Sequence, residues 1–475
     1  MDLPRALPRL RTERGLKRRI SALRRHYEPW LRNLSGAPCS LPRGENITRW
    51  RFRYAGESDW QDVTVPEYRG GGYWEGEYLT ALRLARDVAA MPRVALRFNG
   101  VDTIATVSVN GHQVGTHRGA CTPFVFDVTD YVDRDGENEV RVHVRNGVSP
   151  NAAGPSPDEG TLTLAGWPKT LPGQFYKLTG EWGNMHGRKG YKGGIWRHVH
   201  AVGRADQWID GALIHPHPEE ELIEVRVELG AARAAEVECR LQILPKNFRE
   251  PGAREPVTRK LRLHPGTTEE ALHLPIPDGR RWSPGEPALY SLRVELIRDG
   301  CLLHRRHFTF GLRTFEYDPE RRIHVFNGAP FRFRGTSTIN SLNMAYVRGD
   351  EESIIRQILL AKAGGFNAIR HHILSPIAEI DEYLDALGMP AQPEMPIWQN
   401  FHPELVEVAL EQLPQLVRQH INHPSTVMFA LSSECWRGGE AYEEYRDRAI
   451  AIMKERFPWL VWKVEGQSWT EDPER

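Results

Sequence analysis

The sequence lacks any long uninterrupted apolar run. No stretch of roughly 18 apolar residues occurs, so the pattern predicts no membrane-spanning helix and no membrane partner. The first residues also lack the apolar segment that a secretory signal requires. We therefore expect a cytoplasmic protein.

Cysteine is scarce and shows no paired spacing. The five cysteines are odd in number and include no CxxC pair; they are Cys39, Cys121, Cys239, Cys301 and Cys435. This pattern predicts unpaired thiols in a reducing compartment rather than a disulfide framework or a zinc site. The sequence also shows no metal-ligand cluster, phosphate-binding glycine loop or nucleotide motif, so we expect no metal and no cofactor.

Neither sign of charge is in excess. The chain has 62 basic and 62 acidic residues, and nothing global predicts a nucleic-acid or membrane partner. Residues 1–25 are the exception, because they are rich in Lys and Arg. Such a segment could be a nucleic-acid-binding arm or a solvated, partly helical leader, and we favour the leader.

The chain does contain many short segments in which apolar and polar residues alternate. At 475 residues it exceeds one hydrophobic core and suits about three domains. Residues 46–204 alternate apolar and polar positions with period two, as in 93–99 and 139–145, and Asn110-Gly111 predicts a hairpin turn. Residues 205–315 contain a second such set. Both stretches predict β-sandwiches.

The periodicity changes at about residue 316. Helical patterns, such as residues 351–363, then alternate with short strand-like runs, which predicts a parallel sheet. Five strands are recognisable, whereas a complete eight-stranded barrel takes about 250 residues. The stretch 316–475 is therefore predicted to be an incomplete (β/α) barrel of the TIM type.

One stretch of this third part carries the most information about chemistry. A helix end and a Pro turn lead into the apolar run Thr426–Leu431, and Glu434 follows where that run stops. A continuous apolar run is typical of a strand buried on both faces. A carboxylate at the C-terminal end of a barrel strand is a candidate general acid or base, although an ordinary solvated Glu would look the same.

The sequence of this stretch resembles a known signature. Asn422-His-Pro-Ser425, a hydrophobic strand and Glu434 resemble the acid/base motif of family 2 glycoside hydrolases, which include β-galactosidases, β-glucuronidases and β-mannosidases. The resemblance implies that Glu434 is the proton donor. Ser433 stands where the family has an Asn that contacts the sugar 2-hydroxyl.

The resemblance extends over the two β-rich stretches and implies their folds. The motifs that carry it are Phe98-Asn-Gly-Val-Asp102, Val109-Asn-Gly-His112, Phe124–Tyr131, Gly193-Gly-Ile-Trp-Arg197, Trp282–Tyr290 and Phe310-Gly-Leu-Arg313. By this resemblance, the basic leader 1–45 precedes a jelly-roll, sugar-binding-like domain at 46–204. An immunoglobulin-like β-sandwich at 205–315 and the partial barrel at 316–475 follow.

The resemblance also implies residues that contact the sugar. Arg370 and His372 resemble a rim element that binds sugar hydroxyls, and Glu394 resembles an acid that shapes the sugar site. Asn340 falls at the end of the first barrel strand, where the family often places Asn or His. Two aromatic residues could stack on a sugar face or simply pack in the core; these are Trp398 and Trp436.

A retaining glycosidase needs a second carboxylate about 5–5.5 Å from the first. The family places this nucleophile on the seventh barrel strand, past Arg475. A substitute within the chain would be Glu465 or Glu394, and a salt-bridged or solvated carboxylate is the simpler interpretation of Glu465.

Two interpretations therefore stay open. The chain is either a β-glycosidase, present as a fragment without its nucleophile, or a catalytically inactive carbohydrate-binding or structural remnant. We expect a carbohydrate as its partner, together with a homo-oligomeric state or a complementing C-terminal polypeptide.

Overall fold

The structure of the protein is a computed structural model. It describes residues 12–32, 43–67, 69, 74–102, 104–145, 194–249, 254–338, 341–372, 375–397, 405–433, 435 and 439–465. None of the described helices is long and apolar enough to cross a membrane.

The basic leader contains a helix, α1 (Glu13–Leu31), which begins at an N-cap. Thr12 Oγ1 accepts a hydrogen bond from the Gly15 backbone N–H at 3.1 Å, which satisfies one of the free donors of the first turn. The helix was predicted, but its position was not. Leu23 and Tyr27 are fully buried, so α1 is docked on the rest of the chain rather than solvated.

The N-terminal β region (residues 43–204) consists of two sheets that share one core. Their strand orders are β3-β2-β4-β9-β6-β7 and β1-β10-β5-β8. The strands are β1 (Arg43–Asn46), β2 (Arg49–Tyr54), β3 (Gln61–Thr64), β4 (Glu75–Arg83), β5 (Arg93–Phe98), β6 (Ile104–Val109), β7 (His112–Arg118), β8 (Phe124–Asp127), β9 (Glu137–Arg145) and β10 (Val199–Arg204), with a short helix α2 (Arg86–Ala89).

The predicted hairpin in this region is confirmed. Strands β6 and β7 pair antiparallel around Asn110 and Gly111, whose φ angles are 49° and 83°. Both residues thus adopt the left-handed conformation that Asn and Gly tolerate best.

The middle β region (residues 207–313) also contains two antiparallel sheets around one core. Their orders are β11-β12-β15 and β14-β13-β16-β17. The strands are β11 (Gln207–His217), β12 (Leu222–Ala231), β13 (Ala235–Pro245), β14 (Val257–Leu263), β15 (Gly266–Pro275), β16 (Tyr290–Arg298) and β17 (Cys301–Phe310). A small antiparallel sheet follows, made of β18 (Phe315–Asp318), β19 (Ile323–Phe326) and β20 (Ala329–Phe331).

The C-terminal α/β region (residues 335–465) alternates strands with helices. Its strands are β21 (Gly335–Thr338), β22 (Ala368–His371), β23 (Ala391–Gln392), β24 (Phe429–Ser432) and β25 (Trp462–Glu465). Its helices are α3 (Ser341–Val347), α4 (Glu351–Ala363), α5 (Ala378–Ala386), α6 (Leu405–His420) and α7 (Gly439–Arg456). The apolar faces of these helices and of α1 belong to one large core.

The predicted parallel arrangement is confirmed. Strands β21, β22 and β23 pair parallel, as do β24 and β25. Parallel bridges from Ala391 to Thr426 and from Glu394 to Ala430 connect the two groups. The fold is therefore β-rich over its first two regions and α/β over the third.

Candidate active site

The parallel strands of the C-terminal α/β region end at one edge. Thr338 pairs in register with His371, and Ser432 pairs with Glu465, so the last residues of β21, β22, β24 and β25 lie side by side. In sheets of this kind, binding and chemistry are found outside the carboxyl ends of the strands.

A buried polar cluster lies at this carboxyl edge, and Arg370 is its centre. Arg370 Nε donates to Glu394 Oε1 at 2.5 Å, and its Nη2 donates to Glu394 Oε2 at 3.2 Å. The same Nη2 lies 2.9 Å from Ser433 Oγ. Gln392 Nε2 also donates to Glu394 Oε1 at 2.7 Å. Three residues predicted as substrate contacts, namely Arg370, Glu394 and Ser433, are thus brought together.

Burial imposes a desolvation cost on the charged side chains of this cluster. Glu394 and Ser433 are inaccessible to solvent, and Arg370 is 8% exposed. Two buried charges stabilise each other only when geometry is good and the remaining donors and acceptors are satisfied. The two-pronged Arg370–Glu394 contact meets this condition. It therefore holds both side chains in place at the carboxyl edge.

Glu465, the candidate second carboxylate, is held by hydroxyl groups. Its Oε1 lies 2.7 Å from Tyr442 Oη and 2.9 Å from Ser432 Oγ, and the Cys435 backbone N–H donates to it at 3.3 Å. Glu465 forms no ion pair among the described residues, and within that set its buried Oε2 has no hydrogen-bond partner. Burial, followed by the charge of Glu465, raises the pKa of Tyr442, so this hydroxyl stays protonated as a donor.

The two histidines at the end of β22 differ in their surroundings. His371 is buried, whereas His372 is half-buried and donates its backbone N–H to the Thr338 carbonyl at 2.9 Å. Burial lowers the pKa of His371 to about 4, so its ring is neutral at pH 7. His371 was predicted only as a neighbour of the site, and the structure places it in the protein interior.

Four predicted site residues lie outside the described residues, and their roles stay predictions. They are Glu434, Asn340, Trp398 and Trp436. The backbone on both sides of Glu434 is nevertheless described. The Ser433 N–H donates to the Ile397 carbonyl at 3.0 Å, and Ser433 and Cys435 are both fully buried.

The residues that precede β24, including Asn422 and Arg418, serve a different purpose from those at the carboxyl edge. Asn422 Nδ2 donates to the Ala212 carbonyl at 2.7 Å, and its Oδ1 accepts the Ile214 N–H at 2.8 Å. Arg418 pairs with Glu228 of β12. These contacts hold the start of β24 against the middle β region.

His423 belongs to the same structural group. Its Nδ1 lies 2.6 Å from Asp385 Oδ2. Burial alone would lower the pKa of His423, but the Asp385 carboxylate raises it to about 9. His423 is therefore charged at pH 7 and forms a buried ion pair with α5, which places it in the scaffold rather than in the candidate site.

Family models match the first two regions of this chain. Residues 72–196 match the model described as Glycosyl hydrolase 2 galactose-binding domain-like, and residues 208–313 match Glycosyl hydrolases family 2. The chain belongs to glycoside hydrolase family 2. The resemblance inferred from its sequence motifs is thereby confirmed.

Curated relatives of this family 2 chain are named for glycosidase activities. A β-glucuronidase of Bacteroides fragilis is 26% identical over 449 residues, which cover 86% of this chain and 59% of that protein. A β-galactosidase of Thermoanaerobacter pseudethanolicus is 25% identical over 374 residues, covering 77% of this chain and 45% of that protein. The chain thus spans about half the length of the curated relatives it matches.

Solved structures share the fold. The β-D-mannosidase of Dictyoglomus thermophilum superposes with a TM-score of 0.72 at 18% identity, covering 91% of this chain and 59% of that one. The β-glucuronidase of Bacteroides uniformis gives 0.70 at 21% identity, covering 89% and 52%. At these identities the likeness concerns the fold alone.

Sequence reasoning missed two residues of this candidate site. Gln392 and Tyr442 position the carboxylates of Glu394 and Glu465. Gln392 precedes Glu394 by two residues, and its place at a strand end could have been noticed. Tyr442 offered no such signal, because it lies on α7 and reaches Glu465 only through the packing of that helix.

Proposed function

We propose that this family 2 chain is a retaining glycoside hydrolase that acts on terminal β-linked sugars, with Glu434 as acid/base. The observation that carries the proposal is the buried cluster of Arg370, Glu394 and Ser433 at the carboxyl edge of the parallel strands; Ser433 immediately precedes Glu434 in the sequence. The glycosidase names of the curated relatives support it.

The proposal includes the identity of the domains. Residues 46–204 form a jelly-roll domain, 205–315 an immunoglobulin-like sandwich, and 316–475 part of a TIM-type barrel, after the leader 1–45. The paired antiparallel sheets of the first two regions support this division, as does the sequential order of the five parallel strands.

In the proposed reaction, Glu434 protonates the glycosidic oxygen while a second carboxylate attacks the anomeric carbon. Arg370, Ser433 and Glu394 orient the sugar hydroxyls, together with His372, Asn340, Trp398 and Trp436. The resemblance assigns the attacking carboxylate to a seventh strand. Within this chain Glu465 is the candidate, because it ends the strand beside β24 and adjacent strands lie about 4.8 Å apart.

The test is hydrolysis of aryl β-glycosides by the purified chain. Glucuronide, galactoside and mannoside substrates are compared, since these sugars match the names of relatives and structural neighbours. We expect release of the aryl alcohol from at least one of them, and its loss from a phenyl glycoside in Glu434→Gln. Saturable sugar binding without any hydrolysis would contradict the enzyme proposal and support the carbohydrate-binding alternative.

A further inference from the structure

Two histidines and a glutamate meet on one face of the β11–β12 hairpin. His215 and His217 are two residues apart on β11, so their side chains lie on the same face of the sheet. Glu224 of β12 is the register partner of His215. The centres of the two imidazole rings are 4.1 Å apart. One ligand atom from each of the three residues lies within 4.8 Å of the other two.

We propose that His215, His217 and Glu224 form a binding site for a divalent transition-metal ion of the zinc type. Imidazole nitrogens and a carboxylate oxygen are common zinc ligands. Donors around a tetrahedral zinc ion are about 3.3 Å apart, given metal–ligand bonds of about 2.0–2.1 Å. Small side-chain rotations would bring the ligand atoms of the three residues from their present separations to this distance.

Contacts with neighbouring side chains orient two of the ligands, Glu224 and His217. Arg226 Nε donates to Glu224 Oε1 at 3.0 Å, which leaves Oε2 directed toward His217, 4.0 Å from its Nε2. Glu220 Oε1 lies 3.7 Å from His217 Nδ1 and can orient that ring from behind.

The fourth coordination position has room for an exchangeable ligand. The three residues border a cavity of about 720 Å³ between the middle β region and the C-terminal α/β region. Trp459 stacks on His215 with ring centres 4.8 Å apart, and Arg313 lies in the cavity wall. Three protein ligands and an accessible fourth position distinguish such a site from a closed structural zinc site.

This site is separate from the proposed sugar site. The cavity is bordered by residues 421–424 and 458–461, which precede β24 and β25. It therefore lies at the amino ends of those strands, whereas Arg370, Glu394 and Ser433 lie at the carboxyl edge. The proposal does not depend on glycosidase activity.

The test is metal titration of the chelator-treated chain. Zn²⁺ binding is measured by calorimetry, and Co²⁺ binding by its visible absorption, which becomes strong when four or five ligands surround the ion. We expect one equivalent of each. We also expect Glu224→Gln, which keeps the shape of the side chain, to weaken binding by at least the roughly 10- to 100-fold seen for lesser perturbations of metal sites. The double variant His215→Ala/His217→Ala should abolish binding.

The chain offers a matched control. His198 and His200 are also two residues apart at β10, with ring centres 6.0 Å apart, and the register partner of His200 is Asn46 rather than a carboxylate. The variant His198→Ala/His200→Ala should bind both metals as the wild type does. Weak, nonsaturable binding by the wild type would overturn the proposal, as would saturable binding that Glu224→Gln and the His215/His217 variant leave unchanged.

Discussion

At the scale of single residues, the buried Arg370–Glu394 ion pair of the candidate site makes a testable contribution to stability. Glu394 has no solvent exposure, so losing Arg370 would leave a buried charge without its main partner. We expect Arg370→Met to lower the free energy of unfolding by about 3–5 kcal/mol, measured by urea denaturation. The double variant Arg370→Met/Glu394→Met should recover much of that loss, because no charge then remains buried.

A surface pair provides the control for this experiment. Arg448 contacts Glu407 and Glu444 between exposed side chains. Water screens such pairs, so Arg448→Met should leave the urea midpoint nearly unchanged. If Arg370→Met were as mild as Arg448→Met, the buried pair would not have the role assigned to it.

Lys362 is a second residue at which the effect of burial can be measured, here through the pH dependence of stability. Its Nζ donates to Tyr27 Oη at 2.9 Å and to the Gly388 carbonyl at 2.7 Å, and burial lowers its pKa from 10.5 to about 7. Between these values the unfolded chain binds more protons than the folded one, so Lys362 makes stability rise with pH from about 7 to 10.5. In Lys362→Met the melting temperature should rise less steeply across this window.

The comparison for Lys362 is Lys17, whose side chain is 74% exposed on α1. Lys17→Met should keep the wild-type slope of melting temperature against pH. Parallel slopes for the wild type and Lys362→Met would show that Lys362 titrates normally in the folded protein.

At the scale of elements, α1 is docked on both the C-terminal α/β region and the middle β region. Leu23 and Tyr27 are buried, and Tyr27 Oη donates to the Pro284 carbonyl at 2.6 Å. Truncating a buried Leu costs about 2–5 kcal/mol, so Leu23→Ala should lower the free energy of unfolding by about this amount. Arg25→Ala, on the exposed face of the same helix, should have little effect on urea denaturation. Equal effects would mean that α1 is not docked.

The sequence predicted elements well where a strong local signal existed. The bounds of α4 were predicted from apolar spacing, and the β6–β7 hairpin from Asn110-Gly111. The docking of α1 was missed, although Leu16, Ile20, Leu23 and Tyr27 have helical spacing. The many basic residues of the leader indicated a solvated segment, and only tertiary packing reveals what the apolar face meets.

At the scale of the whole molecule, buried polar contacts help to join the regions. Asn422 bonds to the backbone of Ala212 and Ile214 in β11, and both of these residues are buried. Asn422→Ala leaves these backbone groups without partners, at a cost of about 1–3 kcal/mol. We expect faster hydrogen exchange in residues 207–217 of this variant.

Gln415 provides the control, since among the described residues its amide bonds only to the Glu411 carbonyl within α6. Gln415→Ala should leave exchange in residues 207–217 unchanged. Exchange in Asn422→Ala that matched the wild type throughout β11 would contradict a joining role for Asn422.

The two sites show that sequence patterns can indicate single residues but not the long-range contacts between them. Arg370 and Glu394 were predicted because each ends or follows a strand and resembles a family element, and Ser433 because it occupies the position of a family Asn. The assembly of His215 and His217 with Glu224 was not predicted, because it depends on the register of two strands. The partners of His423 and Asn422 likewise lie on other elements, and a local pattern could not indicate them.

The central claim is that Glu434 donates a proton in β-glycoside cleavage, and leaving-group dependence tests it most directly. The measurement is kcat/KM of the wild type and Glu434→Gln on a phenyl and a dinitrophenyl β-glycoside, with Glu440→Gln of α7 as control. Loss of a general acid should cost about 100- to 10,000-fold on the phenyl glycoside. It should cost little on the dinitrophenyl glycoside, whose leaving group needs no proton. Equal losses on both substrates, or no loss on either, would contradict the account.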